Sequence, residues 1–206
     1  MEVQNLTPGG YAANCYLVTH GQTAVLIDCT APAAYVAEAL QKANATLAAI
    51  LLTHGHFDHM LTVAEVKAAT GAAIYLSRGD EELPADGAKN AFSLFFGFDR
   101  SYPTADHLFD NGASLTFGDL SFRVMCTPGH TRGSALFLID DIAFTGDTIF
   151  AAGYGRYDLF GGDPLALQQS LSAIATLPAT TTIYPGHGAP AKLGTALNEI
   201  KNFMEL

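Results

Sequence analysis

Short apolar runs alternate with polar or glycine-containing turns along the chain, and three pairs of runs flank a short turn. Runs of this length that are rich in β-branched and aromatic residues predict strands, and a tight turn between two of them predicts a hairpin. The predicted pairs are 15–18 with 24–27 around Gly21-Gln22, 115–117 with 122–125 around Gly118-Asp119, and 135–139 with 142–145 around Asp140-Asp141. Residues 47–53, 72–76 and 181–184 predict further strands.

Segments with apolar residues at helical spacing follow these strands. Helices are predicted at 33–43 after Pro32, at 60–70 before Gly71, at 165–177 after Asp163 and Pro164, and at 192–203. Strand-rich halves that each finish in helices predict an α/β protein with two sheets packed face to face and helices outside. We therefore expect one four-layered αββα domain spanning residues 1–206.

The segment 78–106 fits no simple element, and we expect it to form an insert or lid. Its stretch from Phe92 to Phe98 is too aromatic for an ordinary solvated loop. Exposed patches of this kind mark binding surfaces or contacts between copies of a chain. The segment folding back onto the core is an equally good interpretation.

Composition narrows the function classes. With 206 residues, 49% of them hydrophobic, the chain is long enough for one substantial core, and its apolar runs are too short to span a bilayer. Ten basic and twenty acidic residues give a net charge of −10, which argues against nucleic-acid binding. The N-terminus shows no secretory signal, and Cys15, Cys29 and Cys126 form no CxxC pair. We expect a cytoplasmic protein whose cysteines are small buried hydrophobes.

Three imidazoles and a carboxylate lie within six residues, directly after the predicted strand 47–53. They are His54, His56, Asp58 and His59. A polar loop is the alternative interpretation, but imidazole and carboxylate are the ligand types that bind zinc, iron or manganese. In an extended segment His54 and His56 project to one side and can share one ion. Asp58 and His59 lie where the chain turns and can face a second ion.

Further candidate ligands follow other predicted strands. His130 comes after Thr127-Pro128-Gly129, Asp147 after Thr145-Gly146, and His187 lies in Tyr184-Pro185-Gly186-His187-Gly188. Each alone is typical of a turn. Together with the histidine cluster they indicate a metal centre on loops at strand ends.

These residues resemble the metallo-β-lactamase superfamily, whose hallmark is Thr-His-x-His-x-Asp-His, here Thr53 to His59. The resemblance implies the αββα sandwich and two divalent metal ions, zinc first, with iron or manganese as alternatives. It implies that His54, His56 and His130 bind one ion, that Asp58, His59 and His187 bind the other, and that Asp147 bridges them. A hydroxide held between two such ions attacks an acyl carbon. Asp58 and Asp147, as ligands of those ions, are the expected catalytic residues. Asp28 is expected to orient a ligand imidazole or, equally, to cap the turn before Pro32.

Within the superfamily, the run Phe144-Thr145-Gly146-Asp147-Thr148-Ile149-Phe150 is similar to the glyoxalase II group, in its short bacterial form. This likeness implies hydrolysis of a small-molecule thioester of the S-lactoylglutathione type, with Tyr154, Arg156 and Tyr157 as substrate-binding residues. Arg156 pairing with Asp158 or Asp163 is the alternative. A carboxylate at position 147 counts against β-lactams, and the short segment after His187 leaves glutathione dependence open.

Two other enzyme classes on the same scaffold are kept as alternatives. A persulfide dioxygenase would use one iron, and a lactone or ester hydrolase would use the same two ions. A purely structural metal site is disfavoured because such sites are usually rich in cysteine.

Overall fold

The computed structural model describes residues 1–7 and 9–204, which form two six-stranded sheets and five α-helices. The first sheet contains, side by side in chain order, β1 (Glu2–Asn5), β2 (Tyr16–His20), β3 (Thr23–Ile27), β4 (Thr46–Leu51), β5 (Ala73–Ser77) and β6 (His107–Phe109). The second contains β7 (Ser114–Phe117), β8 (Leu120–Cys126), β9 (Ala135–Ile139), β10 (Ile142–Gly146), β11 (Thr182–Pro185) and β12 (Ala191–Lys192). The helices are α1 (Ala33–Ala43), α2 (Val63–Thr70), α3 (Phe92–Phe96), α4 (Pro164–Ile174) and α5 (Leu193–Met204).

Both sheets are mixed. In the first, β3, β4, β5 and β6 run parallel to one another, while β1, β2 and β3 form antiparallel pairs. In the second, β10 and β11 are parallel and the other neighbours are antiparallel. The three predicted hairpins are present, and each two-residue turn contains a residue with positive φ, at Gly21, Gly118 or Asp140. Such turns match the twist of the flanking strands.

Alternating side chains of the central strands enter different cores. In β3, Val25 and Ile27 point between the two sheets, where they join Phe122 and Phe144 of the second sheet. Leu26 points the other way, into a core shared with α1 and α2. A third core lies between the second sheet and the helices α4 and α5. The expected four-layered α/β arrangement is therefore confirmed, and strands covered on both faces explain the nearly unbroken apolar runs.

Some predicted boundaries were wrong. The helix expected at 60–70 begins only at Val63, because Phe57–His59 forms a separate 3-10 turn that Met60 closes through its backbone N–H. The helix expected to end at 177 ends at Ile174, ahead of Pro178. Cys15 and Cys29 are buried as expected, whereas Cys126 is only half-buried at the end of β8. Within the described residues, none of the helices is long and apolar enough to cross a membrane.

The segment 78–106 does fold back onto the core. Phe92 and Tyr102 are buried in the core that α1 and α2 share, and the segment contains the short helix α3. Other side chains of the segment, including Leu94 and Phe98, remain exposed. The interpretation that the segment folds back onto the core therefore holds for its buried residues, and the insert or binding-surface interpretation stays a prediction.

Candidate metal centre

All seven candidate ligands lie in loops that follow the carboxyl end of a strand. His54, His56, Asp58 and His59 follow β4, His130 follows β8, Asp147 follows β10, and His187 follows β11. Because the two sheets pack face to face, these loops meet at one edge of the sandwich. A rigid scaffold thus positions side chains that are far apart in the chain.

Three imidazole nitrogens form a small triangle. His54 Nε2 lies 3.2 Å from His56 Nδ1 and 3.2 Å from His130 Nε2, and the remaining edge, between His56 and His130, is 2.9 Å. Facing lone pairs repel unless a proton or cation lies among them. A tetrahedral ion with bonds of about 2.0–2.1 Å to nitrogen would separate its ligand atoms by roughly 3.3 Å. The triangle therefore has the size of a single metal site.

A second group of donors lies beside the first. Asp58 Oδ2 is 3.2 Å from His187 Nε2 and 4.0 Å from His59 Nε2. Asp147 lies between the two groups. Its Oδ1 is 3.2 Å from His59 Nε2. Its Oδ2 is 3.6 Å from His187 Nε2 and 3.7 Å from His130 Nε2. One carboxylate thus contacts donors of both groups.

The donor set fits two divalent cations. His59 Nε2 and Asp147 Oδ1 are buried and, within the described part of the chain, have no hydrogen-bond partner. Buried polar atoms are almost always partnered, so two buried atoms that lie 3.2 Å apart without a hydrogen bond fit two ligands of one cation. Donor atoms of three groups, His54–His56–His130, His54–His59–Asp147 and Asp58–His59–His187, lie within 4.8 Å of one another in each group.

A sequence profile of the metallo-β-lactamase superfamily matches residues 8–187. The chain belongs to that superfamily. Among curated relatives, "Probable metallo-hydrolase YqgX" of Bacillus subtilis is 30% identical over 91% of this chain and 90% of its own length. A hydroxyacylglutathione hydrolase of Fuscovulum blasticum is 41% identical over 81% of this chain, which spans only 58% of that relative.

Solved structures of the superfamily superpose over nearly the whole chain. BLEG-1, described as a B3 metallo-β-lactamase, has a TM-score of 0.90 and 33% identity, with 96% of this chain and 97% of that chain covered. A di-iron-bound form of TTHA1623 has a TM-score of 0.82 and 36% identity over 94% and 96% of the two chains. The resemblance expected from the sequence motif is therefore confirmed at the level of the superfamily.

Buried partners hold two of the candidate ligand imidazoles of this superfamily member in orientation. Asp28 Oδ2 lies 2.7 Å from His59 Nδ1, and the same carboxylate accepts hydrogen bonds from the backbone N–H and hydroxyl of Thr53. His130 Nδ1 donates to the backbone carbonyl of Arg156 over 2.6 Å. With Nδ1 used in this way, Nε2 of both imidazoles faces the centre and would offer its lone pair to a cation there.

The electrostatics divide the cluster into neutral and charged members. Burial holds the pKa of His54 well below its usual range and lowers the pKa of His56 to about 3. Burial also opposes protonation of His59, but Asp28 and Asp147 outweigh it and hold the pKa of that imidazole well above its ordinary value. Burial would raise the pKa of Asp147, yet the charge of His59 holds it well below its usual range. Cation binding would displace the His59 proton.

Asp80 is a structural partner that the sequence analysis missed. It is fully buried, and its Oδ2 accepts hydrogen bonds from the Gly55 backbone N–H (2.9 Å) and from the Thr131 hydroxyl (2.7 Å). Its Oδ1 accepts from the Gly133 backbone N–H at 2.8 Å. One carboxylate thus ties together the loop of His54 and His56 and the loop of His130. The signal was a Gly-Asp pair after a predicted strand, as at Gly146-Asp147.

A cavity of about 520 Å³ opens over the two donor groups. Arg156 lines it, but the guanidinium is held by Asp158 at 2.7 and 2.8 Å, as the alternative for this residue expected. Tyr154 and Tyr157, the other two residues expected to bind substrate, lie outside the described wall of this cavity. Both rings stack on Phe203 of α5, with centroids 4.1 and 6.2 Å away.

Proposed function

We propose that this metallo-hydrolase cleaves thioesters with two divalent cations at the centre. The observation that carries the proposal is the position of Asp147, whose two oxygens face donors of both groups. His54, His56 and His130 would hold one cation, and Asp58, His59 and His187 the other. When bound, such a pair of cations polarises an acyl carbonyl and supplies a nucleophilic hydroxide near neutral pH.

The chain's own side chains supply orientation and charge. Asp28 and the Arg156 carbonyl fix the rings of His59 and His130, and Asp80 fixes the loops that carry the triangle of imidazoles. Asp58 and Asp147 line the cavity, so an acyl group entering it meets both carboxylates. Positioning of this kind contributes to catalysis because no reorganisation is needed during the reaction.

A covalent mechanism through cysteine is disfavoured. Burial raises the pKa of Cys15 to about 11, and burial likewise holds the pKa of Cys29 well above its usual range. Only a thiolate is an effective nucleophile. Neither side chain belongs to the described wall of the cavity.

Thioesters are proposed as the substrates because of the likeness to a hydroxyacylglutathione hydrolase. That likeness leaves much of the relative unmatched, so S-lactoylglutathione is the reference substrate and glutathione dependence is part of the test. Iron and manganese are alternatives to zinc, since imidazole and carboxylate ligands suit all three.

A β-lactam is a second candidate substrate because BLEG-1 covers almost the whole chain at 33% identity. The carboxylate at position 147 argued against this substrate in the sequence analysis. A direct assay with a chromogenic cephalosporin decides between the two.

The test is a substrate panel on protein of known metal content. It contains S-lactoylglutathione, acetyl-N-acetylcysteamine, an acyl-homoserine lactone, a cephalosporin, and glutathione persulfide with an oxygen electrode. We expect kcat/KM for a thioester to exceed kcat/KM for the lactone, the cephalosporin and the persulfide by at least about tenfold, or ~1.4 kcal/mol of transition-state binding. Asp106→Asn, a carboxylate change far from the centre, is the matched control. A faster lactone or β-lactam, or oxygen consumption with one iron per chain, would overturn the proposal.

A further inference from the structure

An aromatic wall lies beside the metal centre. It consists of Tyr11, Phe57, Phe95 and Phe96, all of which line the cavity. Phe57 is its centre, with ring centroids 6.1 Å from Tyr11 and 5.6 Å from both Phe95 and Phe96. Because Phe57 stands between His56 and Asp58 in the chain, the wall begins next to ligands of both donor groups.

The wall is anchored to the metal-binding loop through the backbone. The Phe57 N–H donates to the carbonyl of Asn90 over 3.0 Å. The side chain of Asn90, which is fully buried, accepts from the Phe92 N–H at 2.9 Å and donates to the Arg100 carbonyl at 3.0 Å. Phe92 in turn stacks on Phe96 at 4.6 Å. These contacts pre-form the aromatic wall without a ligand.

The wall leaves apolar surface open toward the cavity. Tyr11, Phe95 and Phe96 are 60%, 55% and 41% exposed, whereas the ring of Phe57 behind them is buried. Concave apolar surface of this kind beside a few polar groups is the usual form of a small-molecule site. Covering this surface with an apolar group is favourable in proportion to the apolar area removed from water.

The same cavity is poorly suited to a thioester whose thiol part is anionic, as glutathione is. Among the described residues that line it, Arg156 is the one permanent cation, and Asp158 already occupies its guanidinium through two hydrogen bonds. Asp58 and Asp147 also line the cavity, but two bound cations would offset their charge, so the mismatch comes from the scarcity of basic side chains in the described wall. A substrate with several carboxylates therefore meets few partners here.

Resting on thioester hydrolysis as the proposed function, we propose that the substrate's acyl group is an apolar chain or ring that packs on the aromatic wall. The thiol part is then neutral or small, and glutathione is not specifically recognised. The wall is thus the feature that selects among thioesters.

An acyl series on one neutral thiol tests this inference. Thioesters of N-acetylcysteamine from acetyl to octanoyl are hydrolysed by metal-loaded protein. We expect kcat/KM to rise about two- to fourfold for each added methylene, the ratio that ~0.4–0.8 kcal/mol of apolar burial gives. We expect lactoylglutathione to exceed lactoyl-N-acetylcysteamine by no more than about threefold, since no extra charge pair forms.

Phe95→Ala and Phe96→Ala test whether the aromatic wall causes the rise of kcat/KM with acyl length. Each should reduce the ratio of octanoyl to acetyl kcat/KM by about tenfold, because part of the apolar contact is lost. Leu94→Ala is the matched control: Leu94 lies on the same helix, is 67% exposed and does not belong to the cavity wall. Circular dichroism and metal content of each variant establish that it is folded and loaded. Isothermal titration calorimetry with S-octyl-N-acetylcysteamine, a thioether that cannot be hydrolysed, measures binding to the aromatic wall without turnover.

The possible results separate this inference from the proposed function. Thioester hydrolysis with a flat or falling acyl series overturns the inference and leaves the proposed function intact. A chain that cleaves only lactones or β-lactams overturns both. If the aromatic wall were instead a contact between copies of this chain, sedimentation would show a dimer that Phe95→Ala dissociates. The rise of kcat/KM with acyl length would then be the same in this variant as in the wild type. That result would also overturn the inference.

Discussion

The Asp28 carboxylate lies 2.7 Å from Nδ1 of His59, and both side chains are almost completely buried. The contact joins the end of β3 to the loop after β4. It leaves Nε2 of His59 facing Asp147 at 3.2 Å. The orientation of one candidate metal ligand is therefore determined by a residue that would not itself touch the metal.

Asp28→Asn should weaken metal binding by about 10- to 100-fold, the usual cost of losing such a partner. Asparagine suits the position sterically, since Asp28 has φ +54° and asparagine tolerates this region. An amide NH₂ turned toward His59, however, donates where the carboxylate accepted and so favours the wrong tautomer. Competition with a chromogenic chelator measures the affinity of each ion.

Asp106→Asn is the control for this experiment, because it makes the same chemical change at a partly exposed site away from the centre. Equal affinities in wild type and Asp28→Asn would show that Asp28 does not orient His59.

Asp80→Ala should lower the free energy of unfolding of the metal-free protein by about 2–4 kcal/mol. The substitution leaves the N–H groups of Gly55 and Gly133 and the Thr131 hydroxyl without their acceptor, and each unsatisfied buried group is costly. Asp80→Asn retains one acceptor oxygen and should fall between. Urea unfolding without metal keeps ligand binding out of the comparison. Equal stability of all three proteins would contradict the role assigned to Asp80.

Asp106 should contribute stability that depends on pH. The Ile74 N–H and then Lys67 hold the pKa of this carboxyl below its usual value. The ionised form is thus favoured in the folded state, and its contribution is complete above the unfolded pKa of about 3.9 and is lost as pH falls through the lower folded value. The unfolding free energy of the wild type should exceed that of Asp106→Asn by only about 0.2–1 kcal/mol from pH 7 to about pH 5, because solvent screens this exposed pair, and the difference should shrink below about pH 4. A difference that shrinks between pH 7 and pH 5 would contradict this pairing.

Much of the fold could be predicted because its local signals agree with the tertiary structure. The helix Ala33–Ala43 was predicted to the residue, since Pro32 precedes it and Asn44 ends it in the left-handed conformation. The edge strand β1 was missed because Glu2–Asn5 is mostly polar and shows no apolar run. The helix α3 was missed because its five residues lie between Ala91 and Gly97, both with positive φ, and are too few for a helical period.

The site could be predicted where its residues stand next to strand ends. The positions of His130, Asp147 and His187 after predicted strands indicated that they join the histidine cluster, whereas the division of the ligands between two ions followed from the resemblance. Asp80 contacts Gly133, 53 residues along the chain, and no periodicity indicates such a pair. Gly186 is similar: a Cβ there would lie 2.2 Å from Asp147 Oδ1, a restriction visible only in three dimensions.

The most direct test of the two-cation centre is a zinc titration of metal-free protein, with bound metal and thioester hydrolysis measured on the same samples. We expect two zinc ions to bind per chain, and thioester hydrolysis to rise as the second ion binds. Asp58→Ala should bind one ion and lose turnover by at least about 100-fold, on the order of one lost electrostatic contact at a reacting centre. Full turnover with one ion per chain, or an Asp58→Ala variant that keeps wild-type turnover, would contradict the account.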